Sequence, residues 1–271
     1  IPTAIMMAGI ALPLLKESGC EPGKSRYGKA VMIGIPISAA LGGIGTPAGS
    51  GLNILTINLL NNVAGKNITF MQWTAIGFPM AIILVLIAWF VIILVFKPEI
   101  DTVKGLDDIK SKRKELGPMS KNEKKFLVIF IIVMVMWFTQ SMTGIETAFA
   151  SLLAVCVFFL PGVDLMDWNT AKESISWDSV LLMGSANALA MILSTQGTAE
   201  WISNSILGSM AGVSLFVLIM AVTAFGIFSH LLVPVANAVL SVCVPIVTVL
   251  ATSMGVNPLY LVLPLGFTAS A

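Results

Sequence analysis

Gly42-Gly43-Ile44-Gly45-Thr46-Pro47-Ala48-Gly49-Ser50-Gly51-Leu52-Asn53 decides the fold of this chain. It interrupts two apolar segments, Tyr27 to Leu41 and Ile54 to Leu60. Five glycines and a proline in twelve residues cannot continue a helix, so the backbone unwinds where a membrane span is expected. Each unpaired N–H or C=O in hydrocarbon costs several kcal/mol, so such breaks survive only inside protein or beside a polar cavity. A break of this kind offers N–H groups to anions and freed carbonyls to cations, the arrangement by which many secondary transporters hold substrate and coupling ion.

The rest of the composition agrees with a membrane setting. The chain has 271 residues, 57% of them hydrophobic and 11% charged, whereas a soluble domain carries about a quarter charged residues. Mean hydropathy is +0.95. The reading is therefore an all-α, polytopic transmembrane helix bundle in a cell membrane. Cys20, Cys156 and Cys243 are scattered, with no metal or redox spacing, and read as packing residues, as do the 15 methionines. The first residue is not Met and both ends lie in apolar segments, so the expectation is an internal fragment of a longer protein.

Apolar runs long enough for about 30 Å of hydrocarbon give the candidate spans. Residues 1–15 form a short segment, 27–62 one broken span, and 74–96 an uninterrupted one. Residues 126–142 and 147–161 follow, joined at Thr143-Gly144-Ile145-Glu146, and then 179–196. An amphipathic stretch from Thr198 to Met210 suits the interface. Residues 214–250 are a long apolar run broken at Ser229-His230-Leu231-Leu232-Val233-Pro234 without a charged loop, which reads as a re-entrant hairpin turning near Pro234. Residues 258–271 begin a last span.

Of the 15 Lys and Arg, nine lie from Lys97 to Lys125 and four from Lys16 to Lys29. Two crossings separate the basic loops, so both face one side, which the positive-inside rule makes cytoplasmic. Acidic residues nearly balance the basic ones between 97 and 125, so this is a solvated linker and not a nucleic-acid patch. The expected organisation is 1–96 as first-repeat elements, 97–125 as linker, 126–213 as scaffold spans with an interfacial helix, and 214–271 as second-repeat elements. A faint internal echo supports repeats: Ile1-Pro2 and Gly34-Ile35-Pro36-Ile37-Ser38-Ala39-Ala40-Leu41-Gly42 early, Pro245-Ile246 and Val262-Leu263-Pro264-Leu265-Gly266-Phe267-Thr268-Ala269-Ser270 late. An odd number of crossings between the copies inverts them, with the site at their interface.

Three features together resemble the divalent-anion:sodium symporter family of dicarboxylate, citrate and sulfate carriers. They are the Gly42 to Asn53 loop, the segments Asp167-Trp168-Asn169-Thr170-Ala171 and Ser176-Trp177-Asp178, and Gly197-Thr198-Ala199-Glu200-Trp201-Ile202. The resemblance implies a homodimer in which a transport subdomain with two re-entrant hairpins and two broken helices moves elevator-fashion past a fixed scaffold. It implies sodium as coupling ion and no other cofactor. Residues 1–15 would be one hairpin arm, and 27–62 the first broken helix. By the same resemblance, the Gly49 carbonyl and Asn53 belong to the ion site, and Ser50 and Thr46 contact a small divalent anion. The family's Ser-Asn-Thr hairpin signature is replaced here by Val235-Ala236-Asn237, leaving Asn237 as the substrate-facing amide. The two lost hydroxyls bear on a second sodium site.

His230, the only histidine, stands beside the expected hairpin tip and is either a proton-coupling group or a structural hydrogen-bond partner. Asn187 lies among small residues and reads as a helix–helix contact. A proton-coupled or arsenite-type permease of the same architecture is the alternative. An intramembrane enzyme is disfavoured, because the chain has one histidine, no HExxH and no aspartate within a span.

Overall fold

The computed structural model describes residues 2–65, 68–100, 111, 114, 117–207, 213–232 and 235–270. Among them every regular element of secondary structure is a helix. The chain forms two compact units, Ile1–Gly45 with Ala75–Met166, and Thr46–Thr74 with Asp167–Ala271.

The first unit contains α1 (Pro2–Glu17), α2 (Arg26–Gly43), most of α4 (Phe70–Phe96), α5 (Lys121–Phe138), α6 (Gln140–Thr143) and α7 (Thr147–Phe158). Helix α4 is 27 residues, about 40 Å at the helical rise. Only 6% of its most apolar stretch is buried, and Leu86, Trp89, Phe90 and Val95 point outward, as a lipid-facing span requires. Helix α5 begins at Lys121 and not at 126, because Ser120 and Glu123 form a reciprocal capping box. A hydropathy pattern passes over such a polar first turn. Gly144, with φ of 70°, closes α6, and α7 ends at Phe158, before Pro161 and Gly162. The pairs α1–α2 and α5–α7 pack together.

Glu99 ties the two basic loops of this unit together. Its carboxylate accepts from the Ser25 hydroxyl at 2.5 Å and from the backbone N–H groups of Arg26 and Tyr27 at 2.9 and 2.8 Å. These are the first N–H groups of α2, which have no partner within the helix. The Ser25 hydrogen bond, followed by the backbone donors, holds the Glu99 carboxyl below its ordinary 4.5. The loops around residues 25 and 99 therefore lie on the same side, as the distribution of basic residues required.

The second unit holds a 3-10 turn (Pro47–Gly49), α3 (Gly51–Ala64), α8 (Trp168–Ser174), α9 (Trp177–Thr195), α10 (Thr198–Leu207), α11 (Leu215–Leu232), α12 (Ala236–Ser253) and α13 (Leu259–Ser270). Its centre is α12, which packs against α3, α9, α10 and α13. Leu240, Val244 and Ala251 of α12 are fully buried. Serines and threonines on this buried helix satisfy their hydroxyls on the preceding turn: Ser241 on the Asn237 carbonyl, Thr248 on that of Val244. Helices cross closely where glycine permits. A Cβ at Gly266 would stand 2.8 Å from Thr56 Cγ2, and one at Gly226 within 3.3 Å of Leu265 Cδ1 and still nearer the Thr268 hydroxyl. Phe267 meets Trp73 edge to face, with centroids 5.2 Å apart.

Residues 214–250 become α11 and α12 on either side of a break. Helix α12 runs to Ser253 and is itself long and apolar enough to cross a membrane. Pro234, the expected turn, lies outside the described residues. So do the residues from 208 to 212, where the interfacial stretch was expected to end.

Candidate functional site

The glycine-rich stretch breaks the helix where the sequence requires. Helix α2 stops at Gly43, and α3 starts at Gly51. Between them Thr46 is extended, with φ of −137°, and Pro47 starts the 3-10 turn with its fixed φ. Ser50 is extended again and caps α3, its Oγ accepting from the Leu52 N–H at 3.3 Å. Because Oγ acts there as an acceptor, the Ser50 hydroxyl keeps its own hydrogen for another partner.

Asn53 secures the loop from beneath. It is fully buried. Its Nδ2 donates to the Thr46 carbonyl at 2.8 Å, and that carbonyl also accepts from the Gly49 N–H at 3.0 Å. Its Oδ1 accepts the Ser270 hydroxyl at 2.8 Å. With both of its lone pairs occupied, the Thr46 carbonyl is a structural acceptor. Its side-chain hydroxyl makes no cap to the turn.

Two glycines of this stretch, Gly45 and Gly51, serve close approach and not unusual torsion. Among the described residues the positive-φ glycines lie elsewhere, so Gly49 occupies backbone space open to any residue. Gly51 is where Met183 of α9 seats: a Cβ there would run into Met183 Cε. Gly45 has Ala81 Cβ 3.4 Å from its own Cβ position.

Asn237 occupies the first turn of α12 and is 8% exposed. Helix α12 packs on α3, so the helix bearing Asn237 and the helix capped by Ser50 are neighbours. His230 lies in α11 by its backbone, and its side chain falls outside the described residues. Ser270 and Thr56 contribute to the region without having been singled out from the sequence. Only the Thr-Ala-Ser pattern at 268–270, read as part of the repeat echo, marked that end of the chain. On α9, Asn187 Oδ1 is buried with no hydrogen-bond partner among the described residues, and so is Ser203 Oγ on α10. Among the described residues no three His, Cys, Asp or Glu side chains gather as metal ligands.

Comparison with known proteins gives a consistent result. The family model for the sodium:sulfate symporter transmembrane region matches residues 2–271. The chain is 28% identical, over 98% of its length, to a sodium-dependent dicarboxylate transporter, SdcS, of Staphylococcus saprophyticus, covering 55% of that protein. It is 27% identical to the SdcS of Staphylococcus aureus, over 98% of the chain and 55% of the relative. A membrane protein of Cupriavidus necator is 24% identical over the whole chain and 54% of its own length. The chain thus spans about half the length of the curated relatives it matches.

Proposed function

The chain belongs to the sodium:sulfate symporter family, and from that membership we propose that it forms the binding core of a sodium-coupled secondary carrier of small divalent anions. Dicarboxylate, citrate and sulfate are the candidate substrates, and SdcS, named a sodium-dependent dicarboxylate transporter, favours the first. The chain is a carrier and not an enzyme, in a multi-pass membrane protein.

The observation that carries this reading is the broken helix, with Ser50 capping α3 and Asn53 bracing the loop. The N-terminus of α3 presents a positive dipole end, and the Ser50 hydroxyl keeps a hydrogen for a carboxylate or sulfate oxygen. Sodium is assigned to the Gly49 carbonyl and to Asn53, beside the anion. A cation there raises anion affinity, and the anion raises cation affinity by the same factor. Thr46 and Asn237 complete the proposed anion contacts. The proposed assembly is a homodimer with elevator-type alternating access, α11 and α12 being the arms of a re-entrant hairpin that moves with α3. Uptake of labelled succinate, citrate and sulfate into vesicles of the full-length carrier, with sodium and pH gradients imposed separately, tests the reading. Sodium-driven, saturable uptake of one of the three supports it, and uptake that never saturates points to a channel instead.

Val235-Ala236-Asn237, standing where the family signature has two hydroxyls, favours a second reading in which a proton replaces one sodium. In that case His230→Gln abolishes the response to a pH gradient. A steep, cooperative sodium dependence that survives His230→Gln makes His230 structural.

A further inference from the structure

A groove of about 540 Å³ lies at the start of α5, lined by Lys121, Lys124, Lys125, Val128, Ile129, Val157 and Val163. The five α5 positions follow the i, i+3, i+4, i+7, i+8 spacing of one helical face. That face therefore changes from lysine to Val and Ile as it descends into the span. Opposite stand Val157 of α7 and Val163 of the turn after it.

Among the described residues, two of the three lysines on this face have no acidic partner. Lys125 is committed: its Nζ donates to the carbonyls of Gly162 and Val163 at 2.7 and 3.0 Å, holding that turn to α5. Lys121 and Lys124 are exposed, and among the described residues neither makes an ion pair. Both occupy the first turn of α5, where the helix dipole disfavours cations. The acid of that turn, Glu123, is turned back onto the Ser120 N–H at 2.6 Å. Two cations without an acidic partner among the described residues, held against the dipole above an apolar groove, call for an anion with a hydrocarbon tail. A soluble anion would leave the valine and isoleucine walls wet, and a second copy would bring the same lysines against these.

We propose that this groove binds an anionic glycerophospholipid of the cytoplasmic leaflet. Its phosphodiester lies against Lys121 and Lys124, and an acyl chain runs along Val128, Ile129 and Val157. The cytoplasmic leaflet is the anionic one, and each basic residue near its surface contributes about 1 kcal/mol, or about fivefold in affinity.

The test is native mass spectrometry of the full-length carrier in mixed micelles with dioleoyl-phosphatidylglycerol or dioleoyl-phosphatidylcholine. The wild type is expected to retain phosphatidylglycerol preferentially, with the preference falling about fivefold for K121Q or K124Q singly and reaching parity in the double variant. Val128→Trp, which fills the groove from an exposed position, is expected to lose retention with both lysines intact, and it decides alone if the double variant does not fold. Equal retention of the two lipids by the wild type overturns the proposal. An unaltered preference in K121Q/K124Q also overturns it, as does competition by soluble glycerol phosphate as effective as by the lipid. A change of oligomeric state in K121Q/K124Q at constant lipid retention assigns the groove to a second copy and overturns it too.

Discussion

Ser270 donates its hydroxyl to the side-chain carbonyl of Asn53 at 2.8 Å, joining positions 217 residues apart in the sequence. Through the Asn53 amide the link continues to the Thr46 carbonyl, so the end of α13 holds the loop that opens α3. Asn53→Leu removes both bonds from a fully buried position and is expected to destabilise by about 2–4 kcal/mol. Ser270→Ala leaves Asn53 its bond to the loop and is expected to cost about 1 kcal/mol. Thermal unfolding of the two variants in detergent measures the difference. Equal losses would show that Asn53 does not brace the loop.

Gly266 and Thr56 meet where α13 crosses α3. A methyl group at Gly266 would lie 2.8 Å from Thr56 Cγ2 and 3.0 Å from its Oγ1, closer than packed side chains allow. Thr56 is buried and its hydroxyl is bonded to the Leu52 carbonyl, so it cannot swing aside freely. Gly266→Ala is expected to destabilise by about 1–3 kcal/mol. Adding Thr56→Ala removes both atoms that clash, and the double variant is expected to be more stable than the sum of the two single effects. Strict additivity in that cycle would place the glycine's role elsewhere.

Ser50 has two separable roles, helix cap and hydrogen-bond donor. Ser50→Ala loses both and is expected to weaken anion binding more than sodium binding, by about 1.5–3 kcal/mol for the lost bond to a charged group. Ser50→Asp keeps the cap, because a carboxylate accepts from the Leu52 N–H equally well. It also sets a negative charge against the anion. The expected outcome is near-normal thermal stability with anion uptake abolished. Normal uptake by Ser50→Asp would remove Ser50 from the anion site.

Glu99 caps α2 only as a carboxylate. Its carboxyl is held below 4.5, first by the Ser25 hydroxyl and then by the backbone donors, so the folded protein binds the proton more weakly than the unfolded chain. The capping contribution is therefore complete above pH 4.5 and is lost as pH falls below that value. The protection factors of the first α2 amides, their exchange rates taken relative to the intrinsic rate at each pH, are expected to fall under acid conditions in the wild type. In Glu99→Ala the protection factors of the same amides are expected to be low and independent of pH. Protection unaffected by either change would show that the cap does not hold the helix end.

The helices themselves were legible in the sequence because what makes them is local. Apolar runs such as 74–96 and the glycines and proline of 42–51 each act within a few residues of where they stand. Helix starts were less legible, since α5 begins in a polar turn and its capping box, Ser120 with Glu123, carries no hydropathy. The loop was visible as a break, but the reason for its glycines was not. Torsional freedom is a property of one residue, whereas the seat that Gly51 leaves for Met183 depends on a helix more than a hundred residues later. The sequence marks Asn53 for the ion site and Ser270 as part of the repeat echo, but the hydrogen bond between them exists only because α3 and α13 pack together. The same holds for Glu99 on α2 and Thr56 under Gly266. Sequence by itself determined where the chain coils and where it must unwind, because backbone torsion and burial in lipid are settled residue by residue. Which polar groups became partners was decided only by tertiary packing, because a buried hydroxyl or amide binds whatever the neighbouring helix brings within 3 Å.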